Sequence, residues 1–328
     1  MKNVRLASAQ SPGVGPVFPS IGTTSGMKMT RPWQRLCDLN GATLGYVLLL
    51  PAFLLLALIV VYPIGRLFYN SFFDLRLSSS VDAAQFVGLQ NYADVFHDGE
   101  FWMALRNTVL VVVITVPGAL VVGLGLALLA NQMRRAQALL RLSLLLPWAL
   151  PLSFTGLIFA WFFHSEYGVV NDVLQRLGGI EPRMWLTQAW SASFAIWLTI
   201  IWKTSSFMAL ILLAGLQMIP RSLYEAAEVD GASAWQQFRH ITLPMLTPSI
   251  LVALIFRTIT ALQTFDIPYT MTRGGPGQAT ETLAMLIHKT TIDYLDVGYG
   301  STLAVMMFVL SLLLSMVYIR FVGRGGGQ

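Results

Sequence analysis

Apolar residues dominate this chain in six long runs separated by short polar segments. The runs extend from Leu44 to Phe68, Thr108 to Ala130, Leu139 to Phe163, Ala192 to Leu216, Thr247 to Pro268 and Ser301 to Phe321. A helix that crosses a bilayer takes about 20 apolar residues, so each run predicts one spanning helix. The polar segment after the fourth run has its own pattern. Pro220 ends the run, and Ser222 and Glu225 have the S-x-x-E spacing of a capping box, which predicts a short helix from Leu223. Gly231 is placed to end that helix in a left-handed conformation. Ser233 and Gln236 repeat the spacing and predict a second short helix from Ala234 toward His240, closed off by Pro244. The product is a helical elbow bent at Gly231. Before the first run, residues 1–43 are rich in Gly, Ser, Pro and Thr with little apolar periodicity; they predict a largely disordered tail, with an amphipathic approach segment from Pro32 to Leu39. Residues 323–328 predict a short solvated tail, which leaves 44–322 as the membrane domain.

Composition supports the membrane reading. Of 328 residues, 55% are hydrophobic and 11% charged, with mean hydropathy +0.64. A soluble domain carries about 25% charged residues, so this chain has too little charge to cover a water-facing surface. The lone Cys37 excludes an internal disulfide and a cysteine metal cluster. The net charge of +5 does not point to nucleic acid, because the basic residues are spread through short loops. They set orientation instead. Lys2, Arg5, Lys28, Arg31 and Arg35 in the tail, Arg134, Arg135 and Arg141 in the second loop, Arg221 and Arg239 in the elbow, and Arg320 and Arg324 at the end lie on one side. Arg76, Arg106, Arg176, Arg183, Arg273 and Lys289 lie on the other, with most of the acids. The positive-inside rule puts both termini and the elbow of this multi-pass membrane protein in the cytoplasm.

The elbow carries Glu225-Ala226-Ala227, Gly231, Ile241, Leu243 and Pro244 in the pattern E-A-A-x3-G-x9-I-x-L-P. This pattern resembles the signature loop of permease subunits of binding-protein-dependent ABC importers. The resemblance implies the type I ABC importer permease fold: six transmembrane helices with a cytoplasmic coupling-helix loop. It implies that Glu225, Ala226, Ala227, Asp230, Gly231 and Ala232 dock into a groove on a partner ATPase. The partners implied are a second homologous permease, an ABC ATPase dimer and an extracytoplasmic sugar-binding protein. This chain has no Gly-x4-Gly-Lys-Ser/Thr motif, so hydrolysis falls to the ATPase, which would hold ATP and Mg, with no cofactor on this chain.

Polar groups inside spans are costly and face a partner or a cavity. Thr199, Lys203, Ser206 and Gln217 form one narrow helical stripe flanked by Trp202, and Arg257, Thr260, Gln263, Thr264 and Asp266 cover half of the fifth span. Both faces predict a central passage. Lys203 and Arg257 fit an anionic substrate, or else they pair with Asp266, backbone carbonyls or a sister subunit; the pressure to pair charges in a membrane favours the second reading. The run Phe265-Asp266-Ile267-Pro268-Tyr269-Thr270-Met271-Thr272-Arg273-Gly274-Gly275-Pro276 resembles the F-D-x-x-Y-x-x-T-x-G-G-P segment of carbohydrate-uptake permeases of the maltose, trehalose and glycerol-phosphate type. Trp202-Lys203-Thr204, Phe256-Arg257 and Val87-Gly88-Leu89-Gln90-Asn91-Tyr92 resemble the same branch. Trp161, Trp197, Trp202, Phe265 and Tyr269 offer stacking faces for a sugar, whereas Trp148, Trp185 and Trp190 at span ends read as interfacial anchors. Gly118, Gly123 and Gly125 predict close helix packing. His97, His164, His240 and His288 lack metal-ligand spacing and read as surface or loop residues. A polyol or glycerol phosphate stays open as cargo. An ion-coupled transporter would show inverted repeats, and a membrane hydrolase would need a nucleophile beside a base; neither is visible here.

Overall fold

Hydropathy alone predicts where helices lie, and hydrogen-bond accounting decides where they break. A computed structural model describes residues 41–77, 84–133 and 137–325; residues 1–40 of the predicted tail with its approach segment, Arg134 and Arg135, and residues 326–328 lie outside them, while residues 41–43, predicted as tail, are helical. The first run forms α1 (Gly41–Leu56), a π turn (Ala57–Val61) and α2 (Tyr62–Asn70), and within it Leu48–Asn70 is long and apolar enough to cross a membrane. A two-stranded ribbon follows, β1 (Phe73–Asp74) antiparallel to β2 (Gln85–Phe86), with Phe73 opposite Phe86. Next come α3 (Gln90–His97) and the long α4 (Gly99–Gln132), which opens with Asp98 accepting from the Glu100 amide at 2.8 Å. The motif around Asn91 ties this end together. The Asn91 amide donates to the carbonyls of Ser71 and Phe73, both at 3.0 Å, and the Tyr92 hydroxyl meets Ser71 Oγ at 2.8 Å.

The third run is not one helix. It divides into α5 (Gln137–Ala149) and α6 (Leu152–Phe162), bent by 91°. The cause is a pair of prolines four residues apart. Pro151 has no N–H to give the carbonyl of Pro147, and it holds Leu150 away from the helical region. A short α7 (Val169–Gly178) then leads to α8 (Ala189–Met218), which spans without interruption. The Asn171 side chain anchors the connection between them. It donates to the Ser165 and Arg183 carbonyls at 2.9 and 3.0 Å, and its oxygen accepts from the Arg183 amide and from Trp185 Nε1 at 3.1 and 2.8 Å. Trp185 is therefore a structural partner of Asn171 and Phe163 as well as a residue near a span end.

The elbow consists of α9 (Arg221–Val229) and α10 (Ala234–Gln237). Beyond α10 the chain does not stop at Pro244: a π turn (Phe238–Thr242) passes directly into α11 (Leu243–Leu262). An α-helical proline ring collides with the carbonyl four residues back, here His240, which lies within the wider π turn. The fifth span also ends earlier than predicted, at Leu262. The chain breaks over Gln263–Phe265 before α12 (Asp266–Thr272), so Asp266 is not on the helix that carries Arg257. Thr282 Oγ1 holds the freed Thr264 carbonyl at 2.7 Å. Then come α13 (Leu283–His288), a π turn (Lys289–Asp293) and α14 (Val297–Gly325), which continues helical beyond the predicted end at Val322. Among the described residues, five helices, or six when the bent pair counts as one span, are long and apolar enough to cross a membrane.

The core follows the seam between α4 and α8. At one end Val111, Ala195, Ile196, Ile200, Phe163, Ile267 and Met271 pack together; Ala119, Met208 and Ala253 form the middle; Ala127, Ala209, Leu212, Leu216 and Leu246 form the elbow end. Lipid gives no hydrophobic drive between helices, so the seam depends on close approach. A Cβ on Gly118 would come 2.7 Å from Ile201 Cδ1, and one on Gly123 would come 2.9 Å from both Met208 Cβ and the Ser205 carbonyl. Gly125 has open space beside it within this chain, so the seam does not use it as it uses the other two. Gly123→Leu is therefore expected to cost about 1–3 kcal/mol through overpacking. Gly125→Leu should leave the melting temperature of the purified protein within a degree or so of the parent. Equal melting temperatures for both variants would contradict this account of the seam.

Candidate functional site

The elbow is set by two helix caps back to back. Asp230 ends α9, and Gly231 follows with φ +79°. The Gly231 amide donates to the Glu228 carbonyl at 3.1 Å and the Ala232 amide to the Ala227 carbonyl at 2.8 Å, the paired bonds of a Schellman motif. Ser233 starts α10 with a full capping box: its amide donates to Gln236 Oε1 at 2.7 Å, and its Oγ accepts from the Gln236 amide at 3.4 Å. The other predicted box does not form. Pro220 is itself the N-cap of α9, so the helix starts at Arg221 and Ser222 already lies inside it.

The elbow is rooted in the bundle and presents its tip. Tyr224 and Ile241 pack against the core at that end, and the Tyr224 hydroxyl meets Thr242 Oγ1 at 2.9 Å. Glu225, Ala226, Asp230 and Gly231 are exposed, and Ala227 and Ala232 are half-buried. Glu225 lines a cleft of about 840 Å³ with Arg141, Arg221, Tyr224 and Gln217. Ala227, Asp230, Gly231 and Ala232 line a second of about 360 Å³ with His240 and Ile241. The two most exposed large apolar residues of the elbow are Val229, 88% exposed, and Trp235, 67% exposed and stacked on Phe238 at 5.5 Å. The sequence pattern did not single them out, although an isolated Val and Trp in a polar segment was the available signal. An apolar tip flanked by Glu225, Glu228 and Asp230 has the chemistry of a docking surface.

The polar residues predicted inside the spans divide into two groups. One is taken up by the protein itself. Thr199, buried, donates to the Ala195 carbonyl at 2.7 Å, and Ser206 to the Lys203 carbonyl at 3.0 Å. Lys203 Nζ donates to the carbonyls of Pro147 and Trp148 at 2.8 and 2.9 Å and to that of Leu150. Arg257 is 4% exposed and donates to Thr115 Oγ1 at 2.8 Å. Lys203 is therefore committed to backbone carbonyls, and Arg257 reaches only hydroxyls, its buried Nε having no partner among the described residues; neither pairs with Asp266. The other group stays accessible at the two helix breaks. Thr260 and Gln263 are exposed, Thr264 is half-buried, and half-buried Asp266 accepts from Ser153 Oγ at 2.9 Å at the start of α6. Tyr269 stacks on Phe265 at 4.9 Å, and both meet His288, at 5.7 and 5.1 Å. His288 is thus part of this aromatic group, a role its isolation in sequence did not suggest.

At the end away from the elbow the loops are held by charge. Lys289 Nζ lies 3.0 Å from Glu100 Oε2 and 3.5 Å from Glu281 Oε1. Burial pushes the Lys289 ammonium down, but the Glu100 hydrogen bond and the two carboxylate charges outweigh it and hold it above its ordinary value. Burial raises Glu281, with Lys289 opposing and Glu100 adding.

Residues 119–324 match the family model described as "Binding-protein-dependent transport system inner membrane component". The chain belongs to this family. The permease is 63% identical over 290 residues to the sulfoquinovosyl glycerol transport system permease of Agrobacterium fabrum, covering 88% of this chain and 94% of that one. It is 40% identical to the trehalose/maltose transport system permease of Thermococcus litoralis, covering 86% and 94%. Its fold matches a chain in the crystal structure of a bacterial ABC transporter involved in alginate import, with TM-score 0.75 at 22% identity over 90% and 99% of the two chains. The type I importer fold read from the elbow is therefore correct, and the permease is a membrane component of a binding-protein-dependent import system.

Proposed function

We propose that this permease is one of two related subunits that import a sugar delivered by an extracytoplasmic binding protein, and that the sugar is a sulfonated glycoside. The observation that carries the importer reading is the rigid elbow, exposed at its tip and seated on the bundle through Tyr224 and Ile241. The sulfonated cargo is supported by the 63% identical relative, named for sulfoquinovosyl glycerol. In this reading both termini and the elbow face the cytoplasm, as the distribution of Lys and Arg supports. Glu225, Ala226, Ala227, Asp230, Gly231 and Ala232 meet an ATPase dimer, with Val229 and Trp235 as apolar anchors. ATP and Mg are bound and used on that partner, and this chain carries no cofactor. Closure of the ATPases moves the elbow, and the bundle shifts between two states. The cargo passes Thr260, Gln263, Thr264, Asp266 and Tyr269, whose exposed or half-buried polar and aromatic groups suit a sugar, while Lys203, Ser206 and Arg257 hold the walls of that path.

The test is to purify the tagged permease in mild detergent, identify what accompanies it, and assay ATP hydrolysis after reconstitution with the binding protein. An ATPase and a second permease are expected, with hydrolysis stimulated by sulfoquinovosyl glycerol. Stimulation by trehalose or maltose alone would overturn the sulfonated cargo. A lone chain, with subunit loss excluded by crosslinking, would overturn the importer.

A further inference from the structure

Of the two cations that sequence pointed to for an anion, Lys203 is occupied by Pro147, Trp148 and Leu150, and Arg257 is buried against Thr115. Another cation lies elsewhere. Near the end of α4 and α8 away from the elbow is a cavity of about 240 Å³ lined by Arg106, Asn107, Trp190, Ser193, Trp197 and Thr280. Arg106 is exposed and, among the described residues, forms no ion pair. The indoles of Trp190 and Trp197 meet edge to face at 5.5 Å. The cavity wall is built in advance. Asn107, 6% exposed, donates through Nδ2 to the carbonyls of Gln278 and Glu281 at 3.0 and 2.9 Å, which fixes the loop that carries Thr280 and leaves Oδ1 as an acceptor. Thr280 is held in turn by Thr272 Oγ1 and the Gly275 carbonyl. Ser193 Oγ donates to the Ala189 carbonyl at 2.8 Å, so toward the cavity it accepts.

From this geometry we infer that the cavity is an entry subsite for the anionic ring of the cargo. Arg106 binds the sulfonate, an indole face stacks on the pyranose ring, and Asn107 Oδ1 and Ser193 Oγ accept from its hydroxyls. The volume is below the about 300–1,000 Å³ of pockets for drug-sized ligands, which suits a single sugar ring. A guanidinium offers a planar fork that fits two oxygens of a tetrahedral anion, and an indole face offers apolar contact to the C–H side of a sugar. Pro268 also lines the cavity and lies on α12 with Asp266 and Tyr269, so the subsite adjoins the helix that bears the path residues. The inference rests on the sulfonated-cargo reading. A lipid phosphate would offer Arg106 the same tetrahedral anion, so the experiment must separate the two sources.

The test uses the whole importer complex in nanodiscs, without its binding protein, titrated with sulfoquinovosyl glycerol and with glucosyl glycerol as the neutral counterpart while tryptophan fluorescence is followed. A saturable change is expected for the sulfonated compound alone, with most of its amplitude lost in Trp190→Phe. Arg106→Gln should weaken it by about 10–100-fold, the worth of one charge-assisted fork, and Arg106→Lys by less. If Arg106→Gln does not assemble, Arg106→Lys and Trp190→Phe, both at exposed side chains, still decide the matter. An unchanged titration in Arg106→Gln overturns the subsite, as does a signal abolished by anionic-lipid discs, which would assign the cavity to a lipid headgroup. If the parental complex with its binding protein imports no sulfonated glycoside, both the cargo reading and the subsite fall. If Arg106→Gln imports it at the parental rate, only the subsite falls.

Discussion

Lys203→Met is expected to destabilise the assembled permease by about 3–5 kcal/mol and to abolish transport. The loss follows from counting donors. An ammonium has three N–H groups, and Lys203 uses them on the carbonyls of Pro147, Trp148 and Leu150. In an unbroken helix the Pro147 carbonyl would accept from residue 151, which is a proline, and the next carbonyls would accept from residues that the 91° bend carries away. Methionine keeps the length and the apolar stem of Lys203 but leaves three acceptors with no donor at membrane depth. Each such group costs about 1–3 kcal/mol before relaxation or entering water recovers part of it. The positive charge also opposes the negative end of α5, a further about 0.3–1 kcal/mol. Arginine retains the charge, but its planar fork does not match three converging carbonyls, so Lys203→Arg should fall between methionine and the parent. Thermal unfolding of the purified complex and uptake into cells check the series. A methionine variant that melts with the parent would show that Lys203 is not what closes the break.

The break shows what the sequence could and could not reveal. Gly231 was legible because a cap residue with positive φ, between a helix and a following Ser-x-x-Gln box, has one common structural meaning. The long spans were legible because lipid requires continuous apolar sequence. Hydropathy does not register a missing N–H, so the run from Leu139 to Phe163 read as a single helix although Pro147 and Pro151 were present in it. The break after Leu262 was harder still. No Pro or Gly marks Gln263–Phe265, and the bond that stabilises it comes from Thr282, distant in sequence. The same distance explains the polar stripes. Helical periodicity grouped Thr199, Lys203 and Ser206 correctly on one buried face but could not show that the face meets carbonyls rather than a cargo. Pro244 was misjudged for the opposite reason: a π turn tolerates a proline that an α-helical reading treats as a stop.

Gly231→Val is expected to leave insertion and folding of the permease largely intact while reducing sugar-stimulated ATP hydrolysis at least about tenfold. The space around Gly231 is open, so a side chain meets no neighbour within 4 Å, and the whole penalty comes from φ +79°. A left-handed conformation costs an L-residue about 1–2 kcal/mol, and a β-branched one more, which disfavours the observed turn without touching the spans. The chain's cheapest relief is to open the Schellman bonds from Gly231 and Ala232 to Glu228 and Ala227. That releases the angle between α9 and α10 and with it the relative placement of Glu225 and Asp230 on one side and Trp235 on the other. An elbow that flexes absorbs motion instead of passing it on. Asparagine is the discriminating control, because it tolerates the left-handed region while adding a side chain of similar bulk to valine. Gly231→Asn should therefore keep most of the stimulated rate, and Gly231→Ala should lie between. Hydrolysis measured on reconstituted complexes with saturating binding protein and sugar separates the cases. If valine and asparagine lower the rate equally, bulk at a contact surface rather than backbone angle is what the position controls. If neither lowers it, the elbow does not carry the coupling.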